Sequence, residues 1–162
     1  MCLIIMFPDD ESTGISRLWL PSSNIINLPD SIGSLTSLTH VYLYRNQLIQ
    51  LPESIVNLTS LTVLEIGNNF LTHLPDSIDR LSSLIELDVG INKLTSLPNS
   101  IGSLSLLTEL HFNNNHLVRL PESIGNLKSL VELYLNNNVL THLPDSLGNL
   151  SCLVDLHLYS NR

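Results

Sequence analysis

Basic residues are scarce in this sequence, and their scarcity limits the class of partner that the protein can bind. Lysine and arginine together number 7 against 15 aspartates and glutamates, so the formal net charge is −8. Proteins that bind nucleic acid neutralise phosphates with clustered lysines and arginines, whereas the basic residues here are scattered along the chain. The sequence therefore predicts no nucleic-acid partner.

Cysteines and long apolar runs are lacking as well. Cys2 and Cys152 are the only cysteines, and their separation offers neither a disulfide staple nor a metal-binding pair. The apolar opening MCLIIMF is too short to span a membrane and lacks the basic residues that begin a signal peptide. We therefore expect no metal, no cofactor and no membrane contact, and a cytoplasmic location where thiols stay reduced.

Charged and aromatic side chains are few, whereas aliphatic ones are abundant. Charged residues make up 14% of the chain and aromatic residues 5%, although 43% of the residues are hydrophobic. A typical soluble domain has about a quarter charged residues. Leucine and isoleucine must therefore fill the core, while asparagine, serine and threonine supply much of the polar surface. The length of 162 residues suits one domain with a substantial core.

A period of 23 residues organises the sequence. The frame L-x-x-L-x-L-x-x-N-x-L-x-x-L-P-x-S-I-G-x-L-x-x recurs in six complete copies, the first of which has Ser23 at the asparagine position. The dipeptide Leu-Pro begins once in each copy, at Leu28, Leu51, Leu74, Leu97, Leu120 and Leu143. The asparagines follow the same step, at Asn46, Asn69, Asn92, Asn115, Asn138 and Asn161.

Each part of the frame predicts a local structure. The alternation in Leu64-Glu65-Ile66 predicts a short strand with one buried face. The asparagine then turns the chain, and its amide can bond backbone groups of neighbouring turns, so we interpret these residues as a structural ladder. Proline followed by an acidic residue, as in Pro52-Glu53, is typical of the first turn of a short helical or 3₁₀ segment. No copy can bury its leucines alone, so the copies must stack.

This frame resembles that of the leucine-rich repeat family across residues 15–162, and its second half, LPxSIGxL, is similar to the Ras-group type. That type occurs in intracellular scaffold proteins, in plant Ras-group-related proteins and in some bacterial effectors. The resemblance implies an α/β fold, namely a curved, right-handed solenoid with a parallel sheet on its concave face and short helical or 3₁₀ segments on its convex face. It also implies a protein-recognition module that docks its partner on the concave sheet.

The two ends of the chain depart from the frame. We interpret residues 1–14 as a degenerate N-terminal repeat or cap, because Asp9 and Ser12 stand where apolar residues belong. Residues 15–162 then comprise six full repeats and a truncated seventh, without a C-terminal cap. The missing cap favours the interpretation that the chain is a fragment of a longer protein. The alternative is that another surface covers the uncapped edge, which includes self-association through that edge.

The exposed residues of the predicted concave face fall into two groups. The first is an aromatic cluster with an adjacent arginine, a composition common at interface hot spots, and it comprises Trp19, Tyr42, Tyr44 and Arg45. The second is an acidic stripe of Glu65, Glu86, Asp88, Glu109, Glu132 and Asp155, beside which lie His111, Tyr134 and His157. We predict that these residues bind a partner protein with a basic surface, the alternative being that the stripe only keeps the sheet soluble. Gly67 and Gly90 predict a shallow trough on the same face.

His111 is the residue that most suggests chemistry, because a histidine among carboxylates can act as a base or a metal ligand. The frame places no nucleophile beside it, so we expect a solvated histidine and a protein that is not an enzyme. The predicted function is that of a scaffold or adaptor in signalling. Two alternatives stay open: a bacterial effector that acts on a host protein, and the targeting part of a larger kinase or ubiquitin ligase.

Overall fold

The computed structural model describes residues 14–162, which form one stack of parallel strands and 3₁₀ helices. The strands are β1 (Arg17–Trp19), β2 (His40–Tyr42), β3 (Val63–Glu65), β4 (Glu86–Asp88), β5 (Glu109–His111), β6 (Glu132–Tyr134) and β7 (Asp155–His157). They pair in sequence order in one open parallel sheet, so the predicted repeat fold is confirmed. Apart from Gly14, the predicted N-terminal repeat or cap lies outside the described residues.

The core lies directly beneath the sheet. The central residue of each strand points inward and is buried in the first six strands, at Leu18, Val41, Leu64, Leu87, Leu110 and Leu133. The equivalent Leu156 in the edge strand β7 is 37% exposed. The residue directly after each of the first six strands is buried as well, as Ile66 and Phe112 show, whereas Leu158 after β7 is half-buried. This alternation leaves the first and third residues of every strand on the face of the sheet that points away from the core. We call it the outer face; it is the face that the sequence pattern predicts to be concave.

The opposite side of the stack consists of short 3₁₀ helices. They are η1 (Asp30–Ser34), η2 (Glu53–Asn57), η3 (Ile78–Arg80), η4 (Asn99–Ser103), η5 (Glu122–Asn126) and η6 (Asp145–Asn149). Except in η3, an extended proline directly precedes the helix, and its carbonyl oxygen accepts the third residue's N–H, as in Pro52 with Ile55 at 3.0 Å. Among residues 14–162, none of the helices has the length and apolar character needed to cross a membrane.

Neighbouring 3₁₀ helices stack so closely that glycine is needed at one position in several of them. A Cβ atom on Gly125 would lie 2.2 Å from the carbonyl oxygen of Ser146 in the next repeat. Val56 occupies the equivalent position of η2, and the next helix, η3, begins three residues after Pro75 instead of directly after it. The larger side chain in η2 therefore accompanies a displaced start of the following helix.

The ladder asparagines lie behind the turns that follow the strands. Asn92 is 6% exposed, and its Nδ2 donates to the carbonyl oxygens of Ile66 and Val89, both at 3.1 Å. Its Oδ1 accepts the N–H of Leu71 at 2.9 Å. The same three contacts recur at Asn46, Asn69, Asn115, Asn138 and Asn161. Because Ile66 and Leu71 belong to the preceding repeat, each asparagine ties two repeats together.

The residue before each ladder position has a left-handed backbone conformation. These residues have φ between 52° and 57°, and they are Ser22, Arg45, Asn68, Ile91, Asn114, Asn137 and Ser160. Asparagine tolerates this conformation because its short polar side chain can bond locally, whereas a β-branched residue is strained by it. Ile91 is therefore the unfavourable member of the series, and its side chain is 50% exposed.

Replacing a ladder asparagine should destabilise the fold strongly. We expect Asn92→Ala to lower the free energy of unfolding by about 3 kcal/mol, because three buried backbone groups lose their partner. Urea denaturation followed by circular dichroism measures the loss. The control is Asn126→Ala, at the exposed end of η5, for which we expect a change within about 0.5 kcal/mol. Equal losses from the two variants would contradict the structural role of the ladder.

Two chemically identical glycine substitutions should have opposite effects. Gly125→Ala should lower the free energy of unfolding by about 1–3 kcal/mol, because the added methyl group overlaps the Ser146 carbonyl. Nothing lies within 4 Å of a Cβ on Gly148 in η6, so Gly148→Ala should raise it by about 0.4–1 kcal/mol through a less flexible unfolded chain. Denaturation of both variants under the same conditions makes the comparison. A neutral Gly125→Ala would show that the repeats are not in close contact at this edge.

Candidate functional site

The exposed strand residues form columns, because each strand lies in register with the next. Along the first column, Glu86 lies opposite Glu109, and Glu109 lies opposite Glu132. Along the second column, Asp88 lies opposite His111, and His111 lies opposite Tyr134. The structure therefore brings the residues of the aromatic cluster and of the acidic stripe onto one continuous face, with neighbouring strands about 4.8 Å apart.

The aromatic cluster occupies the β1 and β2 end of this face. The ring centroids of Trp19 and Tyr42 are 4.5 Å apart, and those of Trp19 and Tyr44 are 6.3 Å apart in an edge-to-face arrangement. The Trp19 side chain is 50% exposed although it contacts both tyrosines. A large indole that is held by its neighbours and remains open to solvent is a favourable anchor for a binding partner, since little side-chain entropy is lost on contact.

A second group of rings lies at the other end of the face. His111 stacks on Tyr134 with centroids 4.4 Å apart, and Tyr134 stacks on His157 at 4.3 Å. The sequence pattern places these three side chains beside the stripe but does not by itself predict that they stack. Stacking could have been predicted from their recurrence at one frame position in three successive repeats, because flat rings on neighbouring strands are then about 4.8 Å apart.

Between the two groups of rings, carboxylates lie next to one another. Burial raises the pKa of Glu65, and the neighbouring Asp88 raises it further. Burial also raises the pKa of Glu86, and so do Glu109 and Glu65, whereas His111 opposes the shift. Both shifts mean that the ionised forms of Glu65 and Glu86 are disfavoured, first by burial and then by repulsion from the neighbouring acids, and a cation that approaches the face relieves this repulsion.

His111 is less solvated than its frame position predicts. Its side chain is 19% exposed, and its Nε2 atom is inaccessible and has no hydrogen-bond partner. The nearest carboxylate oxygen is Oε2 of Glu132, at 3.8 Å from Nε2. The expectation of a solvated histidine is therefore wrong, because stacking on Tyr134 covers the ring.

A single ligand atom from each of Glu109, His111 and Glu132 lies within 4.8 Å of the others, so these half-buried residues have the donor types that a divalent cation takes. A closed zinc site takes four protein ligands, however, and this group supplies three. That no metal is bound stays a prediction.

A trough of about 490 Å³ lies where the aromatic cluster meets the acidic stripe. Trp19 and Tyr44 line one end of it, and Glu65 and Asp88 line its middle. Gly67 and Gly90 take part in the lining as well. Gly67 and Gly90 each lie two residues after the end of a strand. Other repeats carry larger side chains at this frame position, such as Tyr44 and Asn113. The surface is therefore recessed where the two glycines stand.

Residues 87–162 match a family model described as a leucine-rich repeat region. No curated protein sequence matches the chain. Among solved structures, the leucine-rich repeat domain of the type III effector XopL is similar at 30% identity over 90% of this chain, with a TM-score of 0.83. An internalin (inlF) of Listeria monocytogenes is similar at 32% identity over 93% of this chain, with a TM-score of 0.79.

A third similar structure is the leucine-rich repeat ectodomain of the plant membrane receptor kinase GASSHO1/SCHENGEN3 from Arabidopsis thaliana. It is 35% identical over 84% of this chain, with a TM-score of 0.78. This chain spans 52% of the XopL domain, 43% of the internalin and 17% of the receptor ectodomain. The similar proteins thus share the repeat, whereas none of the matches establishes the Ras-group subtype, which stays a prediction.

Removing one repelling carboxylate should stabilise the protein at neutral pH only. The raised pKa of Glu65 means that the folded state holds this proton more tightly than the unfolded state does, so stability falls as pH rises through the raised pKa. We expect Glu65→Gln to raise the melting temperature by about 1–3 °C at pH 7. Below the ordinary glutamate pKa of about 4.3 the gain should vanish, because the wild-type side chain is then protonated in both states.

Thermal denaturation of variant and wild type at pH 7 and pH 3.5 makes this comparison. Glu86→Gln should behave in the same way, since burial and neighbouring acids raise the pKa of Glu86 too. Glu53→Gln, which removes an exposed carboxylate at the start of η2, should bring no gain at either pH. An equal gain at both pH values would mean that packing, and not charge repulsion, is what the substitution relieves.

Proposed function

We propose that this chain, whose leucine-rich repeat fold is typical of protein-interaction modules, is a non-enzymatic scaffold or adaptor that binds a partner protein on the outer face of its sheet. The observation that carries the proposal is the order of side chains along the columns. Exposed aromatic rings occupy the β1 end, and carboxylates that repel one another continue from β3 to β7. We infer that the partner presents an apolar or aromatic contact to the rings and basic residues to the stripe.

Charge supports the choice of a basic partner. Adjacent carboxylates in the first column, Glu86, Glu109, Glu132 and Asp155, lie opposite one another without a lysine or arginine between them. The overall net charge of −8 adds to their field. Such a field speeds the approach of a basic protein and rejects acidic ones, while desolvated aromatic anchors supply most of the affinity.

The relatives support binding of a polypeptide. The plant receptor ectodomain is described in complex with CASPARIAN STRIP INTEGRITY FACTOR 2. By analogy, we propose that the partner of this chain is a polypeptide too, with a cytoplasmic location as part of the proposal. Self-association through the edge of β7, where Leu156 is 37% exposed, stays a prediction, as does membership of a longer protein.

A second candidate function is that of a bacterial effector acting on a host protein. The observation that favours it is the similarity to the type III effector XopL and to the Listeria internalin. Both candidate functions use the same face, so they differ in where the partner comes from and not in how it binds. The targeting part of a larger kinase or ubiquitin ligase would also use this face.

Reversing charge on the stripe should abolish capture of the partner. We expect the triple variant Glu86→Lys, Glu109→Lys and Glu132→Lys to lose the proteins that the wild-type chain retains from cell extract, as identified by mass spectrometry. The matched control reverses three exposed carboxylates on the 3₁₀ side, Glu53, Asp76 and Asp145, and so makes the same change in net charge. This control should retain the same proteins as the wild type.

With a purified partner, the stripe variant should lower the association rate constant by at least about tenfold at low salt. The difference should shrink as salt is added, because screening weakens the attraction. Equal loss of capture in the stripe variant and in the control would assign the effect to net charge alone. Unchanged capture in the stripe variant would remove the stripe from the binding face.

A further inference from the structure

We propose that the trough binds one arginine side chain of the partner protein, with the guanidinium group held between the Trp19 indole and the carboxylates of Glu65 and Asp88. This inference rests on the proposed function, because it specifies what part of the partner enters the outer face of the sheet. Three observations carry it: the shape of the trough, the chemistry of its walls and, within residues 14–162, two carboxylates that no lysine or arginine pairs with.

Shape is the first reason. A Cβ atom on Gly67 would lie 3.2 Å from the Gly90 carbonyl oxygen and 3.3 Å from both carboxylate oxygens of Asp88. A Cβ on Gly90 would lie 2.8 Å from Oδ1 of Asn113. Two successive repeats therefore lack a side chain where the others carry one, and the recess that results lies directly above acidic groups.

The chemistry of the walls is the second reason. Trp19 and Tyr44 offer ring faces and edges at one end of the trough, and the carboxylates of Glu65 and Asp88 stand in the middle. A guanidinium group stacks on an aromatic ring and donates hydrogen bonds to carboxylate oxygens through its planar fork of N–H groups. Trp19 and Glu65 are two strands apart, about 10 Å at the usual strand spacing, so a single arginine side chain can contact both.

The state of the carboxylates is the third reason. Glu65 and Asp88 lie opposite each other on β3 and β4. Oδ1 of Asp88 accepts the N–H of Gly90 at 2.8 Å, which fixes the carboxylate beside the recess. Arg45 also lines the trough, yet in residues 14–162 no ion pair joins it to either carboxylate. The charge of this acidic pair is therefore available to an incoming cation.

Ile91 completes the site on the far side. It lines the trough, its side chain is 50% exposed, and its backbone has φ of 55°. An exposed β-branched residue in this strained conformation brings no stability to the folded chain by itself. At the edge of the trough, however, its side chain offers an apolar contact to the methylene stem of an arginine.

The test uses three blocked tripeptides, acetyl-Gly-Arg-Gly-amide and its citrulline and lysine counterparts, titrated into ¹⁵N-labelled protein. We expect saturable shifts of the Gly67 and Gly90 amide signals and of the Trp19 indole signal with the arginine peptide, and a dissociation constant of about 1–10 mM. Citrulline has the same shape without the charge and should cause no saturable shift. Lysine should bind several-fold more weakly, because an ammonium group cannot stack or bind in a fork.

Variants locate the site. Glu65→Gln and Trp19→Ala should each weaken the arginine peptide by about five- to tenfold. Arg45→Ala should strengthen binding by about twofold, because a like charge leaves the trough. The matched control Glu53→Gln makes the same charge change at the exposed start of η2, away from the sheet face, and should alter binding by less than about twofold. Retained dispersion in the NMR spectrum of each variant verifies that it is folded.

Four results would overturn the proposal: equal binding of the citrulline peptide, equal binding of the lysine peptide, shifts that centre on the β5 to β7 strands, or equal effects of Glu53→Gln and Glu65→Gln. Failure of the proposed function has a different signature. If arginine binding is specific to the trough while the stripe variant still captures every protein that the wild type does, the arginine site is retained and the binding role of the stripe is rejected. If capture depends on the stripe and the peptides do not distinguish arginine from citrulline, only the trough is removed.

Discussion

The hydrogen bonds of one asparagine per repeat are the constraint on which the rest of this structure depends. Each amide group bonds carbonyl oxygens at the ends of two successive strands and an N–H in the loop of the earlier repeat. These backbone groups are buried where no strand or helix can satisfy them, so leaving them unpaired would be costly. Because the same bonds recur at every turn, each repeat must have the same length between strand and turn. The register of the sheet, and hence the alignment of its exposed columns, follows from that equality.

The columns allow the chain to separate stability from recognition. Inward residues such as Leu87 and Leu110 fill the core and have little freedom to vary, since their neighbours on both sides are fully packed. The residues on either side of them, such as Glu86 and Asp88, make no comparable demand on the fold. Aromatic rings, acids and glycines can therefore be distributed along the sheet according to what they bind. The trough shows this clearly, because it exists only where glycine replaces larger side chains in two consecutive repeats.

Much of the fold can be predicted from the sequence, because the 23-residue period encodes contacts between residues one repeat apart. The alternation around Leu64 predicts a strand, and the asparagine positions predict the turns, since each rests on local geometry that is repeated. The late start of η3 could not be predicted in this way, because residues 74–78 have the same sequence, LPDSI, as residues 28–32, where η1 begins directly after Pro29. The burial of the His111 ring could not be predicted either, since it depends on the orientation of the Tyr134 side chain. Frame positions specify which residues are neighbours, but side-chain conformation decides what those neighbours do.

The ladder also bears on how such a chain changes its length through evolution. After an insertion or deletion of 23 residues, every ladder asparagine still finds the same kinds of backbone groups in the preceding repeat, so no buried group is left unpaired. A change of another length within a repeat breaks the asparagine bonds of at least one turn. Duplication and loss of whole repeats is therefore the route by which the sheet can gain or lose a strand. Every such event moves the later part of the face by one strand, about 4.8 Å, while keeping its internal pattern intact. The distance between the ring groups at the two ends is thus a quantity that recombination can adjust in fixed steps, independently of the chemistry at either end.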